Sequence, residues 1–192
     1  MGYTHYWYQV EGESLDDWET FAELAKDICG ITSSMEGELP FHLEKVEITN
    51  EHIWVEGNPS HESFVLQRTA KNPPWREGNT KVFTFCKTAR KPYDKYVTAL
   101  LIAAKDYWKE SIQISSDGEP EEWNEGLELY INARESEFPV KEELQKMIEN
   151  SLNIASDKIV MPTEHESKTD SGSQRRQIFK NCHFDHGRTQ GT

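Results

Sequence analysis

The spacing of apolar side chains divides most of the chain into alternating strands and helical stripes. Residues 3–10 alternate with aromatic side chains on both faces, which predicts a central strand covered on both sides. A helical repeat of apolar residues follows an S-x-x-D start at Ser14 and Asp17 and stops before Gly30, which suits a helix exit. The first two predicted elements are therefore a strand and an amphipathic helix.

Short strands separated by turn residues fill the next part of the chain. The segment 45–57 predicts a hairpin that turns at Asn50 and Glu51. Further strands are predicted over residues 62–68 and 81–87, the second after a loop whose consecutive prolines no central strand would hold. This stretch therefore predicts antiparallel neighbours within a sheet.

Helices dominate the part of the chain that follows. An apolar stripe over residues 97–108 predicts a second helix, and alternation over residues 111–115 predicts a strand that stops at the turn sequence SDG. Pro120 suits the first turn of a third helix, and a fourth helix is predicted over residues 140–152.

The order of these elements predicts an α+β fold in a single domain, with one mixed β-sheet flanked by helices. Residues 81–116 form a strand–helix–strand unit, and such units pair their strands in parallel with a right-handed crossover. Apolar periodicity fades from Ser156 onward. We therefore expect an α+β ligand-binding domain over residues 1–155 and a polar, flexible tail over residues 156–192.

The composition limits the classes of function. The chain carries 34 acidic and 21 basic residues, and its net charge of −13 disfavours attraction to nucleic acid polymers or anionic membranes. The three distant cysteines, Cys29, Cys86 and Cys182, give neither a disulfide framework nor a CxxC pair. The start of the chain lacks a secretory signal pattern, and no apolar segment is long enough to cross a bilayer. These features predict a cytoplasmic protein without a cofactor, and they leave a homo-oligomer open.

A basic cluster in this acidic chain lies at residues 85–95, FCKTARKPYDK. It falls where a strand ends and a helix begins, and ligands gather beyond the carboxyl ends of strands in open sheets. A helix start also presents unpaired N–H groups to an anion. The side chains predicted to hold an anion, most plausibly phosphate, are Lys87, Thr88, Arg90 and Lys91. The alternative is that these cations are solvated or are paired with nearby carboxylates.

The turn sequence SSDG is predicted to reach the same edge of the sheet. It places Ser115, Ser116 and Asp117 at the end of the parallel partner strand. Hydroxyl groups can bind phosphate or ribose, and a carboxylate can bind a ribose hydroxyl or a metal ion. The alternative is an ordinary turn in which Asp117 caps the helix that begins at Pro120.

Aromatic side chains in two segments offer stacking surfaces for a nucleotide base. His5 lies between Tyr3 and Trp7 on one face of the first strand, and Tyr93 follows the basic cluster. These four residues complete the predicted ligand site. The alternative for His5 is a position in the core among aromatic neighbours.

Common catalytic patterns are absent or wrongly spaced. A thiol phosphatase needs a cysteine, five residues and then an arginine, but Pro92 occupies that position after Cys86. The cluster CHFDHG at residues 182–187 lacks a second pair of ligands at zinc spacing, so no metal site is predicted. The chain has neither a G-x-S-x-G nor an H-E-x-x-H sequence.

Four motifs occur together in the first two thirds of the chain: MGYTHYW at the start, ESF at residues 62–64, FCKTARKPYD at residues 85–94, and SSDG followed by EW. Together they resemble a family of uncharacterised proteins of phages and bacteria, over about residues 1–135. The resemblance implies a bacterial cytoplasmic setting, which is the host cytoplasm for a phage protein, and it brings no activity with it. Small phage proteins with charged, aromatic pockets include inhibitors of host defence that capture nucleotide signals.

Three hypotheses of function follow from these features. The first is a phage-type protein that binds a small phosphorylated or nucleotide-like ligand and possesses no catalytic residue. The second is a phosphodiesterase or related hydrolase that acts on such a ligand, with His5 as the proton carrier. The third is an acidic inhibitor that binds another protein, in which the basic cluster only braces the fold.

Overall fold

The computed structural model describes residues 3–31, 39–76, 78–134 and 140–156. Within these ranges the chain forms six strands and four α-helices: β1 (Thr4–Val10), α1 (Trp18–Ile28), β2 (Leu43–Ile48), β3 (His52–Gly57), β4 (Phe64–Gln67), β5 (Lys81–Lys87), α2 (Asp94–Trp108), β6 (Ile112–Ser116), α3 (Asn124–Ala133) and α4 (Val140–Ser156). Short 3-10 turns occupy Pro74–Arg76, Lys109–Ser111 and Pro120–Trp123. The predicted α+β class is confirmed.

The first helix begins later than its sequence pattern predicts. Ser14 forms an isolated antiparallel bridge with Thr69, and its hydroxyl accepts a hydrogen bond from Arg68 Nε at 3.1 Å. Asp17 lies in the left-handed region, with φ of 51°, and its side chain caps no N–H group of the described residues. The S-x-x-D sequence therefore ends a loop that is tied to β4 rather than capping α1.

The six strands form two antiparallel sheets, with the orders β5-β1-β6 and β2-β3-β4. The prediction of one mixed sheet is wrong. The prediction of a parallel pair within residues 81–116 is also wrong, because β1 lies between β5 and β6 and pairs antiparallel with each of them. The two strands of a strand–helix–strand unit are commonly neighbours in the sheet. Here β1, from an earlier part of the chain, lies between them.

The inserted strand nevertheless preserves one predicted relation. Since β5 and β6 are both antiparallel to β1, they run in the same direction, and their carboxyl ends reach one edge of the sheet. At this edge His5 is paired in register with Cys86 on one side and with Ser116 on the other. The start of α2 and the turn after β6 therefore meet beside the start of β1.

The core lies between the two sheets and the helices. Its largest fully buried side chains include Trp7, Trp18, Phe64 and Trp123. The helix α3 packs closely on α2 at Gly126, where an added Cβ would lie 2.2 Å from the hydroxyl oxygen of Thr98. Burial of this many large apolar groups is the main driving force that holds the elements together.

One face of the sheet β5-β1-β6 is exposed. His5 and Trp7 point into the core and are fully buried, whereas Tyr8 and Phe85 on the other face are 39% and 50% exposed. The central position of β1 is confirmed, but the prediction that both of its faces are covered is wrong for the described residues. Period-two aromatic alternation cannot distinguish a covered face from an open one.

The chain divides into two units, residues 1–159 and 160–192. The described residues belong to the first of these. The predicted polar, flexible tail over residues 156–192 lies outside the described residues, except that Ser156 is the last residue of α4. Among the helices that the structure describes, none has the length and apolar character needed to cross a membrane.

Candidate functional site

A chain of four polar side chains links the sheet edge to the start of α2. His5 is fully buried, its Nε2 lies 2.8 Å from Asp94 Oδ1, and its Nδ1 lies 2.9 Å from Ser116 Oγ. The Thr88 hydroxyl donates to the same oxygen of Asp94. With a neutral imidazole, Nε2 carries the proton, because a carboxylate can only accept, and Nδ1 then accepts the Ser116 hydroxyl proton. Both ring nitrogens of His5 are thereby satisfied.

The turn between β5 and α2 has an unusual backbone. Ala89 and Arg90 both have positive φ, at 51° and 55°, and the turn closes through a hydrogen bond from Lys91 N–H to Thr88 O of 3.1 Å. Ala89 N–H also donates to Tyr3 O at 3.1 Å. Turns of this kind favour asparagine and glycine, and left-handed backbone costs other residues roughly 1–2 kcal/mol each. Strained backbone of this kind is frequent at binding sites.

This turn places Arg90 on the ring of Tyr3, with the guanidinium carbon 4.0 Å from the ring centre. Arg90 Nε donates to Glu122 Oε1 at 2.8 Å, and Nη2 donates to Glu122 Oε2 at 3.3 Å. Glu122 raises the pKa of Arg90, and the hydrogen bonds from Arg90 lower the pKa of Glu122. The Tyr3 ring on one face of the guanidinium and the Glu122 carboxylate at its edge therefore fix its position.

A groove of about 470 Å³ opens beside this arginine. Its lining residues come from four parts of the chain: Tyr3, His42, Arg90, Lys91, Pro92, Asp94, Lys95, Glu122 and Glu125. Neither Lys91 nor Lys95 makes a hydrogen bond or an ion pair through its ammonium group with the described residues. The Lys95 ammonium lies 5.3 Å from the centre of the Tyr96 ring. Two lysines thus line the groove beside the clamped arginine.

A second cavity, of about 100 Å³, lies at the opposite end of β1. It is lined by Gln9, Val10, Glu13, Ser14, Leu15, Asp16, Trp108 and Ser111. Since the described residues around it include two carboxylates and neither lysine nor arginine, this cavity does not suit an anion.

The structure brings several predicted site residues together. Tyr3, Arg90 and Lys91 line the groove, and Asp94 in its wall is hydrogen-bonded to both His5 and Thr88. Ser116 joins the same network through His5. The predicted meeting of the first strand, the basic cluster and the SSDG turn is thus present, although His5 and Thr88 are enclosed beneath the groove rather than open to it.

Other predicted site residues lie away from the groove. Trp7 is fully buried and its ring lies 5.1 Å from that of Phe64. Tyr93 is fully buried and its hydroxyl donates to Glu62 O at 2.6 Å, so neither ring can stack on a ligand. Lys87 ends β5 outside the groove, and its N–H donates to the Glu62 carboxylate at 2.7 Å.

Ser115 and Asp117 point to the exposed face of the sheet. Ser115 pairs in register with Tyr6, and the Tyr6 hydroxyl donates to Asp117 Oδ1 at 3.0 Å. Asp117 does not cap the following turn, where Glu119 and Glu122 form a reciprocal capping box. Alternation along β6 therefore separates these two residues from Ser116, which faces His5.

The start of α2 offers fewer free N–H groups than its sequence position suggests. Asp94 N–H donates to Lys91 O, and Tyr96 N–H donates to Tyr93 O. Pro92 has no N–H at all. Recognition of an anion in this groove therefore depends on side chains rather than on the end of the helix.

Sequence reasoning missed six residues that line the groove: His42, Pro92, Asp94, Lys95, Glu122 and Glu125. Lys95 belongs to the basic cluster at residues 85–95, so the sequence already offered it as a candidate. Glu122 belongs to a capping box whose first residue is Glu119 rather than the usual serine or threonine, so the common sequence signature does not reveal it. Nothing in the sequence pattern indicates that His42, from the segment before β2, reaches this groove.

Neither described cysteine has the properties of a nucleophile. Burial raises the pKa of Cys29 and of Cys86 to about 12, and the Glu62 carboxylate adds to the effect at Cys86. Both thiols therefore stay protonated at neutral pH. In the described ranges no three His, Cys, Asp or Glu side chains are grouped in a way that could hold a metal ion, and residues 182–187 lie outside those ranges.

Comparisons with protein-family models, with curated proteins and with solved structures found no match. The resemblance to uncharacterised phage and bacterial proteins therefore stays a prediction from the motifs. Inference about function depends on the groove, its charges and the network beneath it.

Proposed function

We propose that the groove beside Arg90 binds a small ligand through a phosphate group. The observation that carries this proposal is the position of Lys91 and Lys95, which line one groove with Arg90 and whose ammonium groups have no ionic partner among the described residues. Arg90 keeps Nη1 without a hydrogen bond to the described residues. Three cationic groups can therefore approach one phosphate from the strained turn and the first turn of α2.

The size and polarity of the groove favour a phosphorylated small molecule over inorganic phosphate alone. A volume of about 470 Å³ falls within the range of small-molecule sites. Asp94 Oδ2 and the Glu125 carboxylate make no hydrogen bond with the described residues and can accept from sugar hydroxyl or amino groups. Because Tyr3 is buried and Arg90 lies over its ring, we assign the ligand's sugar and phosphate, rather than a stacked base, to this groove.

Binding without chemical change is the form of this function that we favour. His5 is fully enclosed and uses both ring nitrogens, so it has no contact through which to exchange a proton with a ligand directly. Cys86 is buried as a neutral thiol. In a phage-type protein, sequestration of a nucleotide signal of host defence fits such a site and needs no catalytic group.

The test uses four probes that differ in size and charge: inorganic phosphate, ribose 5-phosphate, AMP and cyclic AMP. Binding is measured by calorimetry and by chemical-shift changes at low salt, after native mass spectrometry of freshly purified protein for a retained anion. The double variant K91Q/K95Q should bind the tightest probe at least about tenfold more weakly, equivalent to about 1.4 kcal/mol. The matched control K71Q/K146Q changes the net charge equally at two exposed lysines outside the groove and should leave affinity within about twofold.

The alternatives give different results in the same experiment. A probe that is recovered hydrolysed after long incubation would replace sequestration by the hydrolase hypothesis. Equal weakening by the groove variant and its control would mean that general charge, and not this groove, attracts the probe. If wild-type protein binds none of the four probes, the proposal is wrong and the inhibitor that acts on another protein becomes the leading hypothesis.

A further inference from the structure

We infer that Glu122 occupies, in the free protein, the place that the ligand's phosphate takes on Arg90. Resting on the proposed function, this inference makes Glu122 an internal competitor for the Arg90 fork: a phosphate must displace the carboxylate before it can bind there. Glu122 therefore helps to set the affinity of the site for every ligand that binds Arg90 through a phosphate.

The geometry of the pair supports an exchange of anions. Glu122 places one carboxylate oxygen on Nε and the other on Nη2 of Arg90, and a phosphate occupies an arginine fork in the same bidentate manner. Both residues line the groove. Their side chains are 35% and 54% exposed, so the pair lies in contact with solvent, where ion pairs are weak and open readily.

Each partner keeps a second contact when the pair opens. Glu122 Oε2 also accepts from Glu119 N–H at 3.0 Å, within the capping box of the Pro120–Trp123 turn. Arg90 remains on the Tyr3 ring and within the closed Thr88–Lys91 turn. The arginine fork is therefore held in position after Glu122 leaves it, and the displaced carboxylate still has a hydrogen-bond donor.

Displacement of a tethered carboxylate lowers the affinity for a phosphate by a fixed factor. The free energy needed to open the Arg90–Glu122 pair is the same whichever ligand takes its place, so the pair reduces the affinity for all such ligands alike. A phosphate monoester can also contact Lys91 and Lys95 in the same groove through its three terminal oxygens, which offsets that cost.

The test measures the affinity for ribose 5-phosphate and for AMP at pH 7.5 in wild type and E122Q. Glutamine can still accept from Glu119 N–H, so the capping box is retained. We expect E122Q to bind both probes about three- to tenfold more tightly, because neither has to displace a carboxylate from Arg90. The control E121Q removes one charge from the same turn, outside the groove, and should leave both affinities within about twofold of wild type.

The outcomes separate this inference from the proposed function. If neither wild type nor E122Q binds either probe, the proposed function is wrong for sugar phosphates and nucleotides. If wild type binds a probe but E122Q binds it no more tightly than E121Q does, phosphate binding stands and the role of Glu122 is wrong. Circular dichroism and urea unfolding of both variants establish that a changed affinity does not come from partial unfolding.

Discussion

Ala89 and Arg90 adopt a backbone conformation that their side chains disfavour, and they do so at the wall of the groove. The hydrogen bond from Ala89 N–H to Tyr3 O fixes the turn to the start of β1. The turn also places the Arg90 guanidinium over the Tyr3 ring. The strain of this turn is a substantial fraction of the free energy that stabilises a small domain. We therefore attribute the conformation to the placement of Arg90.

Replacement of Ala89 by glycine tests this strain directly. Glycine adopts a φ of 51° without steric cost, which offsets its larger entropy in the unfolded chain. We expect A89G to be as stable as wild type or more stable by up to about 1 kcal/mol, as measured by urea unfolding.

The control for this substitution is A22G, in the interior of α1, where glycine should cost about 1 kcal/mol. A loss of stability in A89G as large as that in A22G would contradict the strained turn. The comparison uses the same chemical change in both variants, so it isolates the backbone conformation.

Single residues also show how far the site was predictable. The basic cluster and its position at a strand–helix junction could be identified from the sequence, and Arg90 and Lys91 do line the groove. Trp7 and Tyr93 were assigned to the site but lie in the core. An aromatic residue on a strand has the same alternation in a core as in a binding site, so only the tertiary packing separates the two.

At the level of elements, the sequence predicted the secondary structure of each segment better than the pairing of the strands. The strands and helices occur where apolar spacing placed them, but β1 lies between β5 and β6. Strand pairing over long sequence separation depends on the register of whole faces, which a single chain does not reveal. Several predicted site residues come together despite this error, because β5 and β6 still end at one edge of the sheet.

The contact between α2 and α3 offers a prediction at this level. An added Cβ at Gly126 would lie 2.2 Å from Thr98 Oγ1 and 2.8 Å from Ala99 N, so the helices must move apart. We expect G126A to lower the free energy of unfolding by about 1–3 kcal/mol, as overpacked cores do, although alanine is the better helix former.

The control is E128A, an exposed change in the same helix, which should alter stability by less than about 0.5 kcal/mol. Equal stability of G126A and wild type would mean that α2 and α3 lie farther apart than described. Urea unfolding of the three proteins at one pH provides the comparison.

For the molecule as a whole, buried thiol and phenol groups make the free energy of unfolding depend on pH in the alkaline range. Burial raises the pKa of Cys29 and Cys86 from 9.0 to about 12 and that of Tyr93 from 10.0 to about 12. The folded state keeps these protons after the unfolded state has released them. The stabilisation is therefore complete below about pH 9 and is lost as the pH rises from about 9 to 12.

We expect the free energy of unfolding, measured by urea titration, to fall continuously between pH 8.5 and 10.5. The variant C29A/C86A will be less stable at pH 7, because it leaves small cavities, but it should lose less stability over the alkaline range. Parallel curves for the two proteins would contradict the assignment of these thiols as protonated in the folded state.

The place of β1 in its sheet bears on how the protein folds during synthesis. The strand β1 leaves the ribosome before both of its hydrogen-bonding partners, which lie far downstream at residues 81–87 and 112–116. Until those segments are synthesised, the backbone N–H and C=O groups on both edges of this aromatic strand have no partner strand. Exposed edges of this kind can pair with other nascent chains. Formation of this sheet must therefore be late and comparatively slow, and translation rate or chaperone supply becomes a determinant of yield.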